Sequence, residues 1–223
     1  MSKKLKNTIL YHNIHSPPSR MCYLTARNLD IDLEIRDLDI LKGEQNSGEF
    51  LKINPMHQVP TLVHDGFVVT EARAIIMYLA TIAESPLYPI NDLKLKTLID
   101  SRLFFDATNC SFAVKNFAFP ILRKGMKTVP TITRDSLKTL LANLEVLLEN
   151  SKCFAGDEMT IADFSFLSNV ATIKQLGADF SIYPKLNDWY ERCRCISGFT
   201  ENEEGAKMLA EKLAKLLDEP LWI

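Results

Sequence analysis

The chain has 223 residues, of which 47% are hydrophobic and 24% are charged, a composition typical of soluble globular proteins. This length is enough for one large domain or two small ones with a substantial buried core. The net charge of -2 gives no electrostatic reason to expect nucleic acid or an anionic membrane as a partner. The sequence holds no run of about 18 apolar residues, so a membrane-spanning helix is not expected.

Cysteine usage and the start of the chain bear on the cellular compartment. The basic start is followed by neither a long apolar segment nor a small-residue cleavage site, so it does not predict a signal peptide. The cysteines are five, an odd number: Cys22, Cys110, Cys153, Cys193 and Cys195. Cys193 and Cys195 are one residue apart, whereas zinc and redox motifs place two residues between their cysteines. We therefore expect reduced thiols in a cytoplasmic protein, and no bound metal.

The first elements along the chain predict a strand, a helix and a second strand. Residues 8–11 form a short apolar strand candidate, and apolar residues then recur at helical spacing over residues 21–29. Pro17 and Pro18 suit a helix entry, where their missing N–H groups would be unpaired in any case, so Ser16 should lie at the mouth of a helix that starts near Pro18. Residues 31–36 alternate between apolar and charged, which predicts a second strand joined to the first by a right-handed parallel crossover.

A hairpin and a helix come next. Residues 59–63 and 67–69 are short apolar runs, and Asp65-Gly66 between them is the typical signal of a tight hairpin turn. Ala74, Ile75 and neighbouring apolar residues then follow a helical period, with one face expected to pack against the hairpin. With a short helical link over residues 49–52, the order is βαβ followed by ββα, which predicts a thioredoxin-like α/β domain.

The start of that last helix has the chemistry of a ligand site. A helix N-terminus offers unpaired N–H groups and a partial positive charge to a carboxylate, and Glu71 beside it could hold an ammonium group. An amino acid or a γ-glutamyl group carries both charges. A cis bond before Pro60 would turn the backbone N–H and C=O of Val59 toward a peptide-like ligand. These residues alone fit equally well an ordinary hairpin and helix with a solvated, charged cap.

The rest of the chain predicts an all-helical domain. Residues 85–92 contain two prolines and no period, as a linker does, and the amphipathic segments beyond it run near residues 93–122, 133–150, 160–175, 184–195 and 201–218. Thr160 and Asp163 form a variant capping box, whose role is structural. We therefore divide the chain into an α/β domain over residues 1–84, a linker over 85–92 and an all-α domain over 93–223.

Several motifs together resemble those of a known family. Pro-Thr-Leu at 60–62, the Asp-Gly turn and Glu-x-Arg-Ala-Ile from Glu71 resemble the glutathione-binding half of the cytosolic glutathione transferases, in particular the insect delta and epsilon classes. Ser-Pro-Pro-x-Arg from Ser16 is similar to their catalytic-serine segment, and the text around the capping box resembles their C-terminal domain. The chain departs from the family pattern at Met56 and Ala72, where the family usually has glutamine and serine.

The resemblance implies a role for each matching residue. A serine in the place of Ser16 is by itself more typical of a simple helix cap, but the resemblance makes it the donor that holds the glutathione thiolate. The glutathione-binding residues implied in the same way are Gln45, His57, Val59, Pro60, Glu71, Ala72 and Arg73. Alanine at 72 lacks the family's hydroxyl, and losing a hydrogen bond to a charged group costs roughly 1.5–3 kcal/mol, partly offset by Arg73. Weakened glutathione binding is expected.

The second substrate is expected between the domains. By the epsilon-class pattern, the pocket for a hydrophobic electrophile is formed by Pro17, Ile40, Ser111, Val114, Lys115 and Ala118. The resemblance implies a glutathione transferase that acts in detoxification and uses glutathione as co-substrate. It also implies a homodimer. The alternative from a different class is a carrier of apolar ligands with little turnover, because Gln45, Met56 and Ala72 all weaken the glutathione pattern.

Overall fold

The computed structural model describes residues 3–222 and contains the strands and helices in the predicted order. Its first part consists of β1 Lys3–His12, α1 Pro17–Asn28, β2 Ile31–Asp37, α2 Gly48–Ile53, β3 Thr61–His64, β4 Phe67–Val69 and α3 Ala72–Ile82. The second part consists of α4 Leu93–Phe105, α5 Ser111–Lys124, α6 Thr131–Leu147, α7 Ile161–Gln175, α8 Pro184–Arg192 and α9 Phe199–Leu216. A four-stranded α/β part followed by helices confirms the predicted fold class.

The four strands form one mixed sheet in the order β2-β1-β3-β4. β1 and β2 are parallel, as the crossover through α1 requires, and β3 is antiparallel to both β1 and β4. Leu10 lies at the centre of the sheet, where it pairs with Ile35 on one side and Leu62 on the other. The hairpin turn has φ 47° at Asp65 and φ 82° at Gly66, the two positive values that a tight turn of this kind needs. The predicted hairpin is confirmed.

The helix that follows the hairpin buries most of the expected face, but Ala74 departs from the prediction and the face packs mainly against α1. Ala74 is exposed, and the buried residues of α3 include Ala72, Ile75 and Ile76. Ile75 and Ile76 belong to the core that α3 shares with Met21 of α1, so α3 covers the helix beside it more than the hairpin. Alanine is short enough to fit either face, which is why spacing alone placed it wrongly.

The first long helix of the second part contains a π-helical turn in its middle. A single helix over residues 93–122 was expected, but Asp106–Cys110 forms a π-helical turn between α4 and α5. Two side chains in this turn bond to carbonyl groups of the preceding one: Thr108 Oγ1 donates to Phe104 O at 2.9 Å and Asn109 Nδ2 to Phe105 O at 3.0 Å. Such bonds compete with the regular helical pattern, and π-turns often occur at functional sites.

Helix α7 lies at the centre of the second part. Every residue from Ile161 to Ile173 is buried, so its polar side chains need partners inside the protein. The predicted capping box is present at its start, where Thr160 N donates to Asp163 Oδ2 at 2.9 Å. Asp163 Oδ1 also accepts from Trp189 Nε1 of α8 at 3.0 Å, so the capping residue also joins two helices.

Two further observations concern residues 3–222 as a whole. No helix in this range is long and apolar enough to cross a membrane. All five cysteines are free thiols, four of them buried and Cys195 exposed.

Candidate active site

Ser16 is placed at the N-terminus of α1 with its hydroxyl proton available. It is the N-cap residue, half-buried, and its backbone N–H donates to Asn13 O at 3.0 Å. Its Oγ accepts from the backbone N–H of Ser19 at 3.4 Å, which uses a lone pair and not the O–H. No described residue accepts from that O–H. The hydroxyl can therefore donate to an anion at the positive end of the helix.

The loop before Ser16 is held from both sides. Asn13 Nδ2 donates to Leu38 O at 2.8 Å, across to the segment that follows β2, and Asn13 Oδ1 accepts from His15 N at 3.0 Å. From the helical side, Arg20 Nη1 donates to Ile14 O at 2.9 Å. The backbone two residues before Ser16 is therefore fixed by a side chain four residues after it.

Arg20 is a structural residue, which in the sequence stands out only as the last residue of the Ser-Pro-Pro-x-Arg motif. It is 1% exposed and bonds to α9 through Asn202 Oδ1 at 3.0 Å and to α7 through Thr172 Oγ1 at 2.6 Å. Burial lowers the pKa of Arg20 to about 9, because its bonded partners in the described residues are neutral oxygens. A Cβ at Gly205 of α9 would lie 2.5 Å from Ile14 O, so only glycine allows this close approach.

The start of α3 offers the second set of predicted ligand groups. Glu71 is the N-cap residue, exposed, with φ 65° and ψ 112° and no side-chain cap bond, so its carboxylate is available. A side chain at this φ is strained by about 1–3 kcal/mol, and such strain is found at functional sites. Ala72 is buried, and its carbonyl accepts from Cys22 Sγ at 3.6 Å. That contact places the α3 N-terminus beside the second turn of α1.

Arg73 contacts the other domain. Its Nη2 forms an ion pair with Asp106, the first residue of the π-helical turn, and donates to Ser111 Oγ at 2.6 Å. Asp106 is fully buried and also accepts from Ser165 Oγ at 2.5 Å and from Asn169 Nδ2 at 3.0 Å. Ser165 and Asn169, both on α7, thus complete the hydrogen-bond network around Asp106. Asp106 has no local sequence signal, because its partners lie about 30 to 60 residues away in the chain.

The other predicted glutathione residues lie on the segment between β2 and β3. His57 is exposed, with φ 45°, and the Val59–Pro60 peptide bond is cis, as expected. Gln45 is 7% exposed, and its Oε1 is buried without a hydrogen-bond partner in the described residues. The amide of Gln45 therefore has hydrogen-bonding capacity that the protein does not use.

The predicted electrophile residues do not all have exposed surface. Ser111 belongs to the network of Arg73, and Val114 and Ala118 lie in the helical core with 4% and 5% of their surface exposed. Lys115 is exposed, with its Nζ 5.1 Å from the centre of the Phe119 ring. The two remaining residues, on the other domain, are Pro17, which is buried, and Ile40, which is half-buried.

The buried thiols of the chain are poor nucleophiles. Burial raises the pKa of the Cys22, Cys110 and Cys193 thiols well above the usual range, and raises the pKa of Cys153 to about 12. A thiolate at the mouth of α1 would therefore have to come from a ligand. In residues 3–222, no cluster of three or more histidine, cysteine or acidic residues could hold a metal ion.

The fold and these residues define a thioredoxin-like domain joined to a helical domain, with two neighbouring helix N-termini that suit an anionic, peptide-like ligand. The model of the glutathione S-transferase N-terminal domain matches residues 6–81, and that of the C-terminal domain matches residues 110–195. Glutathione S-transferase D7 of Drosophila melanogaster is 33% identical over 215 residues, which cover 93% of this chain and 95% of that protein. The chain therefore belongs to the glutathione S-transferase family, whose co-substrate is glutathione.

Solved insect structures agree with this assignment. Unclassified glutathione S-transferase 2 from Bombyx mori superposes with a TM-score of 0.90 at 35% identity, over 95% of this chain and 99% of that one. A glutathione transferase homologue from Drosophila mojavensis, solved with bound glutathione, gives a TM-score of 0.90 at 30% identity, over 94% of this chain and 97% of that one. The predicted resemblance to insect glutathione transferases is confirmed.

Proposed function

We propose that this protein conjugates glutathione to small hydrophobic electrophiles, and that Ser16 keeps the glutathione sulfur in its thiolate form. The observation that carries the proposal is the hydroxyl of Ser16, which lies at the N-terminus of α1 and has accepted one bond from Ser19 N without using its proton. The helix dipole and a donated hydrogen bond both favour a negative charge at that point. No basic side chain among the described residues is hydrogen-bonded to the Ser16 hydroxyl, so its proposed role is that of a donor and not of a nucleophile.

The expected effect on the thiol follows from the strength of one hydrogen bond. A hydrogen bond to a charged group contributes about 1.5–3 kcal/mol, and about 1.4 kcal/mol corresponds to one pKa unit. A thiol with an ordinary pKa of about 8.5 would be about 3% ionised at neutral pH. A shift of one to two units raises that fraction to between about a quarter and three quarters. The glutathione thiolate, which is the reactive species, would therefore be abundant at neutral pH without a basic residue beside it.

The spacing of the two helix N-termini supports the placement of the tripeptide. The Cys22–Ala72 contact places the start of α3 six residues along α1 from Ser16, which is about 9 Å at about 1.5 Å per residue. In glutathione about nine bonds join the cysteinyl sulfur to the oxygens of the γ-glutamyl carboxylate, an extended reach of about 10 Å. The sulfur can therefore lie at Ser16 while the γ-glutamyl carboxylate reaches the N–H groups at Ala72, with its ammonium group beside Glu71.

The remaining contacts complete the proposed site. His57 and Gln45 would bind the glycine carboxylate, and Val59 and Pro60 the cysteinyl part. Arg73, also assigned to glutathione, would contribute little attraction, because its guanidinium is already paired with Asp106. The electrophile would lie against Pro17, Ile40, Ser111, Val114, Lys115 and Ala118. Residues 1–84 would form the glutathione-binding domain and residues 93–223 the helical domain.

We also propose a cytoplasmic homodimer. The free thiols fit a reducing compartment, and large exposed apolar side chains such as Phe67 and Phe104, with 59% and 71% of their surface exposed, fit a covered surface. Sedimentation equilibrium would show a dimer. A monomer at micromolar concentration would reject this part of the proposal.

The test of the mechanism compares two serines of the same helix. Ser16→Ala should raise the pKa of bound glutathione, measured by the ultraviolet absorbance of the thiolate, by one to two units and lower kcat/KM for an aromatic halide about tenfold or more. Ser19→Ala is the matched control, because Ser19 Oγ is buried with no partner in the described residues. An unchanged thiol pKa in Ser16→Ala would remove Ser16 from the mechanism.

The carrier alternative is not favoured. The relatives named above match nearly the whole chain and are described as glutathione transferases. Binding of apolar ligands without either retention on immobilised glutathione or turnover would restore it.

A further inference from the structure

Arg20 carries a buried positive charge that the described part of the chain does not neutralise. Its side chain is 1% exposed, and its hydrogen-bond partners are neutral oxygens of Asn202, Ile14, Ser168 and Thr172 at 2.6–3.0 Å. A buried cation usually lies beside a carboxylate, because removing a charge from water is costly. A buried guanidinium without a counter-ion is therefore unusual.

Asn202 of α9 occupies the place where a carboxylate would fit. Its Oδ1 accepts from Arg20 Nε at 3.0 Å, while its Nδ2 is buried and has no hydrogen-bond partner in residues 3–222. An aspartate has nearly the same shape, would leave no amide group unpaired and would pair with the guanidinium. The natural asparagine is therefore the less stabilising of the two residues. Departures of this kind from local stability are expected mainly at functional sites.

The charge of Arg20 lies close to the proposed position of the glutathione sulfur. Arg20 is four residues beyond Ser16, which is about 6 Å along the axis of α1. Its Nη1 turns back and donates to Ile14 O at 2.9 Å, and two residues of chain span at most about 7 Å. The guanidinium is therefore held within roughly 10 Å of the Ser16 hydroxyl. At an effective dielectric constant of about 20, a unit charge at that distance changes a pKa by about one unit.

The charge of Arg20 also acts on the two histidines of the active-site loop. Burial is the main reason that the pKa of His12 and the pKa of His15 are lowered, and the charge of Arg20 acts in the same direction on both. For His12 it opposes the effect of Asp37, whose Oδ1 lies 2.8 Å from His12 Nδ1. His15 directly precedes Ser16 in the chain. The charge therefore reaches the loop that leads into the proposed thiolate site.

Other ionisable groups around α1 do not supply the missing counter-ion. They are His12 and His15 of the loop, Asp37 of β2, the Arg73–Asp106 pair, Tyr190 of α8, and Glu201, Glu203 and Lys212 of α9. The two glutamates beside Asn202 are bonded elsewhere, Glu201 to the Tyr23 hydroxyl at 3.4 Å and Glu203 to the Tyr190 hydroxyl. No acidic residue in the described ranges forms an ion pair with Arg20.

We infer that Asn202 is a positioning residue that holds the Arg20 guanidinium without cancelling its charge, so that this charge stabilises the glutathione thiolate at Ser16. Neither side chain touches the ligand in this role, and no bond is formed or broken. Asparagine in place of aspartate gives up some stability of the fold and lets the thiol ionise at a lower pH. The role rests on the proposed function, because without a thiolate at Ser16 the charge has no anion to act on.

The test replaces asparagine by aspartate and follows two quantities. Asn202→Asp should raise Tm by about 2–6 °C, since it removes the unpaired amide group and supplies the counter-ion. It should also raise the pKa of bound glutathione, measured by thiolate absorbance at saturating glutathione, by about half to one unit. The acidic limb of the pH profile of kcat/KM should move to higher pH by the same amount. Below the thiol pKa, activity should therefore fall about three- to tenfold, and well above it activity should be unchanged.

Two further variants separate the effect of the charge from the effect on the fold. Asn202→Leu removes the bond to Arg20 Nε and supplies no charge, so it should lower Tm and leave the thiol pKa within about 0.2 units of the natural value. Ala214→Asp places the same negative charge at an exposed position of α9, where water and salt screen it, and should leave the thiol pKa unchanged.

The same measurements separate this role of Asn202 from the proposed function. A natural chain that binds glutathione without lowering its thiol pKa would reject the proposed function, and this role with it. A lowered thiol pKa that Asn202→Asp leaves unchanged, whatever the Tm of the variant, would overturn only the role of Asn202. A shift in folded Asn202→Leu as large as that in Asn202→Asp would overturn it as well, because a change without charge would then have the same effect.

Discussion

The ion pair between Arg73 and Asp106 joins the two parts of the molecule, and we expect Asp106→Asn to reveal how much stability it provides. Asp106 is fully buried, while 17% of the surface of the Arg73 side chain is exposed. In the variant, one carboxylate oxygen becomes an NH₂ group that faces donors from Arg73, Ser165 or Asn169. Arg73 then keeps its charge without a counter-ion in a mostly buried place.

Breaking a buried ion pair costs about 3–5 kcal/mol, and the lower end applies here because asparagine keeps the volume and Arg73 retains some contact with water. For a chain of this size about 1 kcal/mol shifts Tm by roughly 2–4 °C, so we expect a fall of about 6–12 °C, measured by circular dichroism. Asp135→Asn is the control, since its pair with Lys138 is exposed and spans 3.9 Å. A loss below about 1 kcal/mol for Asp106→Asn would refute the reasoning.

Three further changes test the site and its support. Ala72→Ser restores a hydroxyl at the start of α3 and should tighten glutathione binding about tenfold or more by titration calorimetry; an unchanged Kd would reject that contact. Glu71→Gly relieves the positive φ and should raise stability by about 1 kcal/mol while it raises the KM for glutathione, a pair of opposite effects that a purely structural role would not produce. Gly205→Ala forces a Cβ against Ile14 O and should cost about 1–3 kcal/mol in denaturant unfolding, whereas Gly48→Ala, with open space around it, should cost less than half as much.

The elements with strong local signals could be predicted from the sequence. Two consecutive prolines fixed the start of α1 to within one residue and so placed Ser16 at its N-terminus. The Asp-Gly turn, the strand β2 and the capping box at Thr160 each depend on signals within a few residues, and the structure contains all three. The motifs that resemble the glutathione transferase family are also short stretches of sequence, so they could be recognised without knowledge of distant contacts.

What could not be predicted depends on contacts between distant residues. The π-helical turn at Asp106 looks like ordinary helix in the sequence, because the partners of Asp106 come from α3 and α7. Val114 was assigned to the electrophile pocket by helical register, which could not show that this residue belongs to the buried core of the helical part. His12 and Asp37 are cross-strand neighbours of the parallel β1–β2 pair, so this contact required the register of the sheet, which alternation alone does not give.

The orientation of Arg73 changes how the γ-glutamyl end of glutathione can be held. Coulomb attraction from this arginine was expected to offset part of the missing hydroxyl at Ala72, but the guanidinium is paired with Asp106 and hydrogen-bonded to Ser111. An ion pair attracts a second carboxylate far less than a free cation does, because the two charges of the pair largely cancel at that distance. In the proposed placement, the backbone N–H groups at the start of α3 would then be the main partners of the carboxylate, and Glu71 would be the partner of the ammonium group. The lost hydroxyl at Ala72 should therefore reduce the free energy of glutathione binding by nearly the full value of one hydrogen bond. We expect the natural chain to bind glutathione weakly.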